Sequence, residues 1–117
     1  FTIGSYLASE NEKANKHLPV LKEEIISELE QAIDLMNQTL LPLNSFILPS
    51  GHIAACSLHI CRTITRRAER RLVDGLKTEN FPDLILKYLN RLSDYFFVAS
   101  RFINFHAGVR ETPWTPK

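Results

Sequence analysis

The chain has 117 residues, 44% hydrophobic and 23% charged, and this length forms one hydrophobic core but hardly two. Four Gly, six Pro and the lack of an apolar stretch near the roughly 18 residues of a membrane span exclude a disordered chain, a collagen-like repeat and an integral membrane protein. The net charge of +1 suggests neither a nucleic-acid binder nor an acidic tail, and we expect a single domain over residues 1–117.

The net charge conceals an asymmetry between the two halves of the chain. Residues 1–50 carry three basic and seven acidic side chains, whereas residues 51–117 carry eleven basic and six acidic ones. Five of those eleven are the arginines of one short run, Arg62 to Arg71, which also contains one glutamate.

The first predicted element is a helical stub from Phe1 to Ala8. The chain opens in apolar register, so we expect it to begin inside a helix that further sequence precedes, and no secretory leader is visible. An exposed, mobile loop is predicted from Ser9 to Lys16. Cys56 and Cys61 form no metal or disulfide pattern, which favours two buried thiols in a reducing compartment.

Three long amphipathic helices are predicted after the stub. The first begins at Pro19, spans about twenty residues and is closed by Pro42. The second follows Ser50-Gly51, and the third begins near Pro82 and runs to about His106, before Gly108. The predicted buried stripe of the first helix is Leu21, Ile25, Leu29, Ile33, Met36 and Leu40. That of the second is Leu58, Cys61, Thr65, Ala68, Leu72 and Leu76. That of the third is Ile85, Leu89, Leu92, Tyr95, Phe96, Ala99, Phe102 and Ile103. These helices predict an all-α, up-and-down bundle with an irregular tail after Gly108.

One face of the second long helix carries an unusual set of polar residues. At about 100° per residue, His59, Arg66, Glu69 and Arg70 fall within about 80° of Arg62, away from the apolar stripe. A solvated face would explain this set, but such faces mix charges and use Lys freely. Because arginine's planar fork suits phosphate oxygens, a binding site for an anion is slightly favoured.

The third long helix carries a second polar group, formed by Asn90, Asp94 and Arg101. Asn90 is equally suited to contacting a phosphate or ribose and to a packing role. For Asp94 and Arg101 an interhelical salt bridge is the favoured interpretation. Phe46 lies in the linker before the second long helix, where it would cap the end of the bundle unless a flat ligand binds there.

Other chemistries have little support in the sequence. The histidines near helix ends, His17, His52 and His106, have no second ligand at metal spacing, so no metal site built from protein side chains is expected. No motif supports Ser-His-Asp or Cys-His catalysis, and Gly51 alone is not a phosphate-binding loop.

Four segments together resemble the PduO-type ATP:cob(I)alamin adenosyltransferases. They are Phe46-Ile47-Leu48-Pro49-Ser50-Gly51, Leu58-His59 with Cys61-Arg62, Arg66-Arg67-Ala68-Glu69-Arg70, and Asn90-Arg91-Leu92-Ser93-Asp94. The resemblance covers about residues 20 to 107, in order and with the family's spacing. It implies a five-helix, ferritin-like bundle whose first part is missing from these residues, assembled as a homotrimer with active sites between subunits.

The resemblance also implies the reaction and its ligands. Cob(I)alamin attacks C5′ of ATP, adenosylcobalamin forms and triphosphate leaves, so ATP, Mg²⁺ and cobalamin are the expected ligands. The corrinoid is the nucleophile, and no nucleophilic side chain is needed. The implied ATP-binding residues are Arg66, Arg67, Ala68, Glu69, Arg70 and Asn90.

Other residues take their expected roles from the same resemblance. Arg66 and Phe46 are the implied catalytic residues, and Phe46 occupies the lower face of the corrin, displacing the axial base and favouring four-coordinate cobalt. Arg62 resembles the family's arginine that pairs with an aspartate of the adjacent subunit, and Asp94 supports the same interface.

The resemblance also implies a cellular location and partner proteins. We expect a cytoplasmic location, or the mitochondrial matrix in a eukaryote, and a cobalamin reductase and an adenosylcobalamin-dependent enzyme are candidate partners. Neither nucleic acid nor a membrane is an expected partner. The alternative is a non-enzymatic helical bundle with an Arg-rich face that binds anions or nucleic acid.

Two departures from the family pattern concern the nucleotide site. The family's N-terminal Thr-Gly-Asp-x-Gly loop and first helix are absent from these 117 residues. His52 also stands where the family commonly has a second glycine, which changes the expected shape of that turn.

Overall fold

The computed structural model describes residues 1–9, 16–75 and 82–117. Over these ranges the chain forms four α-helices and no strand: α1 (Thr2–Leu7), α2 (Glu24–Asn37), α3 (Ile53–Gly75) and α4 (Asp83–His106). The all-α bundle is therefore confirmed. Most of the predicted Ser9–Lys16 loop, and Leu76 of the second stripe, lie outside the described residues. None of the described helices is long and apolar enough to cross a bilayer.

Helix α4 is the centre of the bundle, and both α2 and α3 pack against it. Its residues are buried on several faces, including Ile85 and Ala99 of the predicted stripe. Two buried serines also lie on it, and each hydroxyl donates to a carbonyl one turn earlier: Ser93 to Asn90 at 2.8 Å and Ser100 to Phe97 at 2.7 Å. Small side chains that satisfy their own hydroxyls allow neighbouring segments to approach this helix closely.

Helix α2 is shorter than the predicted helix from Pro19 to Pro42. It begins only at Glu24, because Pro19 lies beside α1, where its carbonyl accepts a hydrogen bond from the Tyr6 hydroxyl at 3.0 Å. It ends at Asn37, before the Pro42 ring would meet the carbonyl of residue 38. All six residues of its predicted stripe are half-buried, so the described residues cover this apolar face only in part.

Helix α3 turns a different face to α4 than its apolar residues predict. Thr65 is buried as expected, but Ala68 is exposed, and Ala55 and His59 are buried instead. Compared with the predicted stripe, the buried face is rotated about the helix axis toward Arg62, because His59 and Arg62 pack on Phe97 of α4. The two cysteines, Cys56 and Cys61, are free and half-buried rather than fully buried.

One buried arginine of α4, Arg101, joins this helix to two irregular segments. Arg101, only 7% exposed, donates from Nε to Glu111 of the tail at 2.6 Å and from Nη2 to the Leu41 carbonyl at 2.8 Å. The interhelical salt bridge predicted for Arg101 is therefore wrong, because its partners lie in the tail and in the linker after α2. The tail is non-helical as predicted, but this pair fixes it to the bundle.

The turn before α3 depends on a glycine and a buried amide. Gly51 has a φ of 111°, a conformation that L side chains rarely adopt, and a Cβ there would overlap the Asn104 side chain. Asn104 is 2% exposed; its Oδ1 accepts from the His52 amide at 2.9 Å and its Nδ2 donates to the Ser50 carbonyl at 3.0 Å. These bonds fix the end of the linker that carries Phe46.

Replacement of Gly51 by alanine is expected to lower the free energy of unfolding by about 1–3 kcal/mol, because the new methyl group displaces Asn104. Gly4→Ala is the matched control, since nothing lies within 4 Å of the added carbon and alanine favours the helix by about 0.5–1 kcal/mol. Urea unfolding of the full-length variants measures both. Equal stability of the two variants would contradict this account of the turn.

Candidate nucleotide and corrinoid site

The exposed arginines of α3 line an open cleft. Arg66, Arg67 and Arg70 are exposed and form no ion pair with any described residue. The cleft has a volume of about 440 Å³ and is lined by Arg66, Glu69, Arg70, Val73, Asp74 and Asn90. The structure thus brings together four of the six predicted ATP-binding residues. Arg67 and the exposed Ala68 are on the same helix but do not line this cleft.

A polar chain links α3 to α4 at this cleft. Asn90 donates from Nδ2 to Glu69 Oε1 at 2.9 Å and accepts from Arg91 Nη2 at 2.6 Å. Arg91 also pairs with Asp94 at 2.9 Å, one turn along the same helix. The ion pair of Asp94 thus lies within α4 rather than between helices, although the Asp94 charge also acts on Arg62 of α3. Asn90 and Glu69 are held in fixed positions, while the guanidinium groups opposite them remain available to a ligand.

A second cleft lies beside Arg62, one turn before Arg66 on α3. It has a volume of about 640 Å³, and its lining includes Phe46, Ile47, Arg62, Phe97 and Trp114. The Arg62 guanidinium carbon lies 4.8 Å from the centre of the Phe97 ring, a cation–π arrangement. Burial and the nearby charge of Arg66 lower the pKa of Arg62, and Asp94 raises it. Arg62 is thus held against α4 at the edge of the second cleft.

Phe46 stands at the open edge of the second cleft. Its ring is 80% exposed and lies edge-on to Trp114, with ring centres 6.3 Å apart. A side chain that caps the end of a bundle would be buried, so the interpretation of Phe46 as a cap is wrong. The backbone holds the linker beside the tail, since the Trp114 amide donates to the Phe46 carbonyl at 2.7 Å and Ile47 forms an antiparallel bridge with Pro113.

His59 was expected on the polar face but is buried, with 6% of its surface exposed. Its ring meets Phe97 edge-on at 6.2 Å, and its Nε2 has no hydrogen-bond partner in the described part of the chain. Burial and the charge of Arg62 lower the pKa of His59, and Glu111 raises it. No pattern within α3 indicates this burial, because the aromatic neighbour, Phe97, belongs to α4.

No group of three or more His, Cys, Asp or Glu side chains in residues 1–9, 16–75 and 82–117 could hold a metal ion. Polyphosphate oxygens are suitable ligands for Mg²⁺, which is commonly bound through substrate phosphates.

The fold and its two clefts define an all-α bundle with an arginine row beside an aromatic pocket. Residues 1–103 match the model of the cobalamin adenosyltransferase family, and the chain belongs to that family.

Curated relatives are named as corrinoid adenosyltransferases. The chain is 49% identical over 94 residues to a corrinoid adenosyltransferase of Bacillus subtilis, covering 80% of this chain and 49% of that protein. It is 41% identical over 112 residues to human corrinoid adenosyltransferase MMAB, covering 93% of this chain and 45% of the human protein. The chain thus spans about half the length of these relatives.

Solved structures with the same fold contain bound ligands. A variant PduO-type ATP:corrinoid adenosyltransferase from Lactobacillus reuteri, complexed with cobalamin and ATP, superposes with a TM-score of 0.90 at 34% identity, covering 99% of this chain and 64% of that one. An arginine-to-lysine variant from the same organism, complexed with ATP, has a TM-score of 0.87 at 36% identity, covering 98% of this chain and 64% of that one.

Acid is expected to destabilise the protein through His59. Its folded-state pKa lies below the ordinary value of 6.5, so the unfolded chain binds the proton more tightly, and stability is lost as the pH falls below about 6.5. Removal of this imidazole in His59→Asn should flatten the dependence of unfolding free energy on pH between 7.5 and 5.5. His17→Asn, the same substitution at an exposed histidine, is the matched control. A slope equally steep in His59→Asn and the parent would exclude His59 as its source.

Proposed function

We propose that the full-length protein transfers the 5′-deoxyadenosyl group of ATP to cob(I)alamin, producing adenosylcobalamin and triphosphate. Family membership supports this, as do relatives named corrinoid adenosyltransferase and a similar structure complexed with cobalamin and ATP. The observation that carries the proposal is the arrangement along α3. Arg66 lines the arginine-lined cleft and Arg62 lines the second cleft. The two arginines are about 6 Å apart along the helix axis.

The arginine-lined cleft is the proposed site for ATP. Arg66 and Arg70 contact the triphosphate, and Arg67 adds positive charge from the same helix. Glu69 and Asn90 orient the nucleotide, and the small side chain of Ala68 leaves room for it. Mg²⁺ bound through the phosphates neutralises further charge. Because triphosphate gains charge as it leaves, cations placed around it stabilise the transition state more than the bound substrate.

The aromatic cleft is the proposed site for the corrinoid. Phe46 covers the lower face of the corrin, where it displaces the axial ligand and makes Co(II) easier to reduce. The electron pair of Co(I) then forms the bond to C5′ as the C5′–O bond breaks, and the electrons of that bond leave with triphosphate. The protein supplies position and charge rather than a nucleophile.

The active protein is proposed to be a homotrimer with its sites between subunits. Arg62 and Asp94 support the interface side of the site. Three isoleucines on one side of α3, Ile53, Ile60 and Ile64, are 50–80% exposed, and a row of exposed apolar side chains is typical of a surface that another segment or subunit covers. A cobalamin reductase and an adenosylcobalamin-dependent enzyme are the proposed partners, in the cytoplasm or the mitochondrial matrix.

Arg66→Ala tests the nucleotide site. Loss of a cation at the leaving triphosphate should lower kcat/KM for ATP by about 100-fold or more. The control is Arg110→Ala, because Arg110 is an exposed arginine of the tail, away from α3, and does not line the cleft. Adenosylation of cob(I)alamin, followed by its absorbance, measures both variants. Similar rates for Arg66→Ala and the parent would overturn the assignment.

Phe46→Ala tests the corrinoid site. Because Phe46 lies in the second cleft, its loss should impair formation of four-coordinate Co(II) much more than ATP binding. Electron paramagnetic resonance of bound cob(II)alamin and calorimetric titration with ATP separate the two effects. Leu41→Ala is the control, since Leu41 is a similarly exposed apolar residue of the same linker, outside that cleft. Equal losses of both properties would instead indicate a packing role for Phe46.

A further inference from the structure

The tail after α4 lies directly against the linker that carries Phe46. The Leu48 amide donates to the Thr112 carbonyl at 2.8 Å, and the Trp114 amide donates to the Phe46 carbonyl at 2.7 Å. A side-chain bond adds to these, from the Ser50 hydroxyl to the Thr112 hydroxyl at 3.1 Å. The backbone position of Phe46 is therefore set by the tail as well as by its own linker.

The Phe46 ring has one aromatic neighbour among the residues that the structure describes, and it is Trp114. The two ring planes meet at 72° with their centres 6.3 Å apart, an edge-to-face arrangement that aromatic pairs prefer. Because the phenyl ring is 80% exposed, few other contacts restrict its rotation. Trp114 is itself half-exposed and lines the same cleft.

The tail is anchored three residues before Trp114. Glu111 accepts from Arg101 Nε at 2.6 Å and from Nη2 at 3.3 Å, and the arginine is almost fully buried. A two-point contact of this kind fixes direction as well as distance. Anchored there and paired with the linker at Thr112, the tail presents the indole to the cleft at a defined angle.

We propose that Trp114 is a positioning residue for Phe46. Its indole holds the phenyl ring in the orientation that covers the lower corrin face, and the Arg101–Glu111 pair holds the indole in place. This inference depends on the proposed function, because it assigns a partner to the residue that acts on cobalt. It predicts an effect on cobalt geometry without an effect at the arginine-lined cleft.

The test compares three variants of the full-length protein: Trp114→Ala, Trp114→Phe and Thr115→Ala. Each is loaded with ATP and cob(II)alamin, and the four-coordinate fraction is measured by electron paramagnetic resonance, with kcat and the KM for ATP. We expect Trp114→Ala to lower the ratio of four- to five-coordinate Co(II) about three- to tenfold, as the strength of an aromatic pair implies. kcat should fall with it while the KM for ATP is unchanged. Trp114→Phe should recover most of the loss, and Thr115→Ala should match the parent.

Two results would separate this inference from the proposed function. A parent protein that forms four-coordinate Co(II), together with a Trp114→Ala variant that forms as much, would overturn the role of Trp114 alone. A parent that forms neither four-coordinate Co(II) nor adenosylcobalamin would overturn the proposed function and this inference with it. An equal rise in the KM for ATP in Trp114→Ala would show general disruption and would also contradict the inference.

A second variant tests the anchor without changing either ring. Glu111→Gln should loosen the tail, shift the Trp114 emission to longer wavelength and lower the four-coordinate fraction in parallel. Trp114 is the only tryptophan of these 117 residues, and subtraction of the Trp114→Phe spectrum isolates its emission in the full-length protein. A shifted emission with an unchanged four-coordinate fraction would overturn the proposal.

Discussion

The buried guanidinium of Arg101 is the constraint on which the rest of the described structure depends. A charged group with 7% exposure is stable only when its donors are satisfied, and Arg101 finds partners in the Glu111 carboxylate and the Leu41 carbonyl. Those partners belong to the tail and to the linker between α2 and α3. One side chain of the central helix thus fixes both irregular segments, and with them the aromatic edge of the second cleft.

The second organising contact is the packing of Arg62 and His59 on Phe97. It determines the rotation of α3 against α4, because it turns this side of the helix inward. With Arg62 partly buried, Arg66 and Arg70 point to the adjoining cleft, where Asn90 holds Glu69 in place. The two proposed ligand sites are therefore adjacent because consecutive turns of one helix supply an arginine to each.

Local signals in the sequence predicted much of this arrangement. The apolar spacing and Pro82 placed α4 to within a residue of its observed start, and the Arg62–Arg71 run identified the face that lines the arginine-lined cleft. The burial of His59 could not be predicted, because it depends on an aromatic ring of another helix. The Arg101–Glu111 pair and the docking of Trp114 beside Phe46 were missed for a related reason: contacts between irregular segments leave no periodic pattern. The proposed roles of Phe46 and Arg66 rest on a family resemblance and not on periodicity.

The proposed function requires this bundle to bring the triphosphate of ATP and a corrinoid together for a single displacement at C5′. Quantifying the products of the full-length protein with ATP and cob(I)alamin tests it most directly, by chromatography of the corrinoid and phosphorus NMR of the nucleotide products. The account predicts adenosylcobalamin and inorganic triphosphate in equal amounts. Release of phosphate or diphosphate without adenosylcobalamin would contradict it.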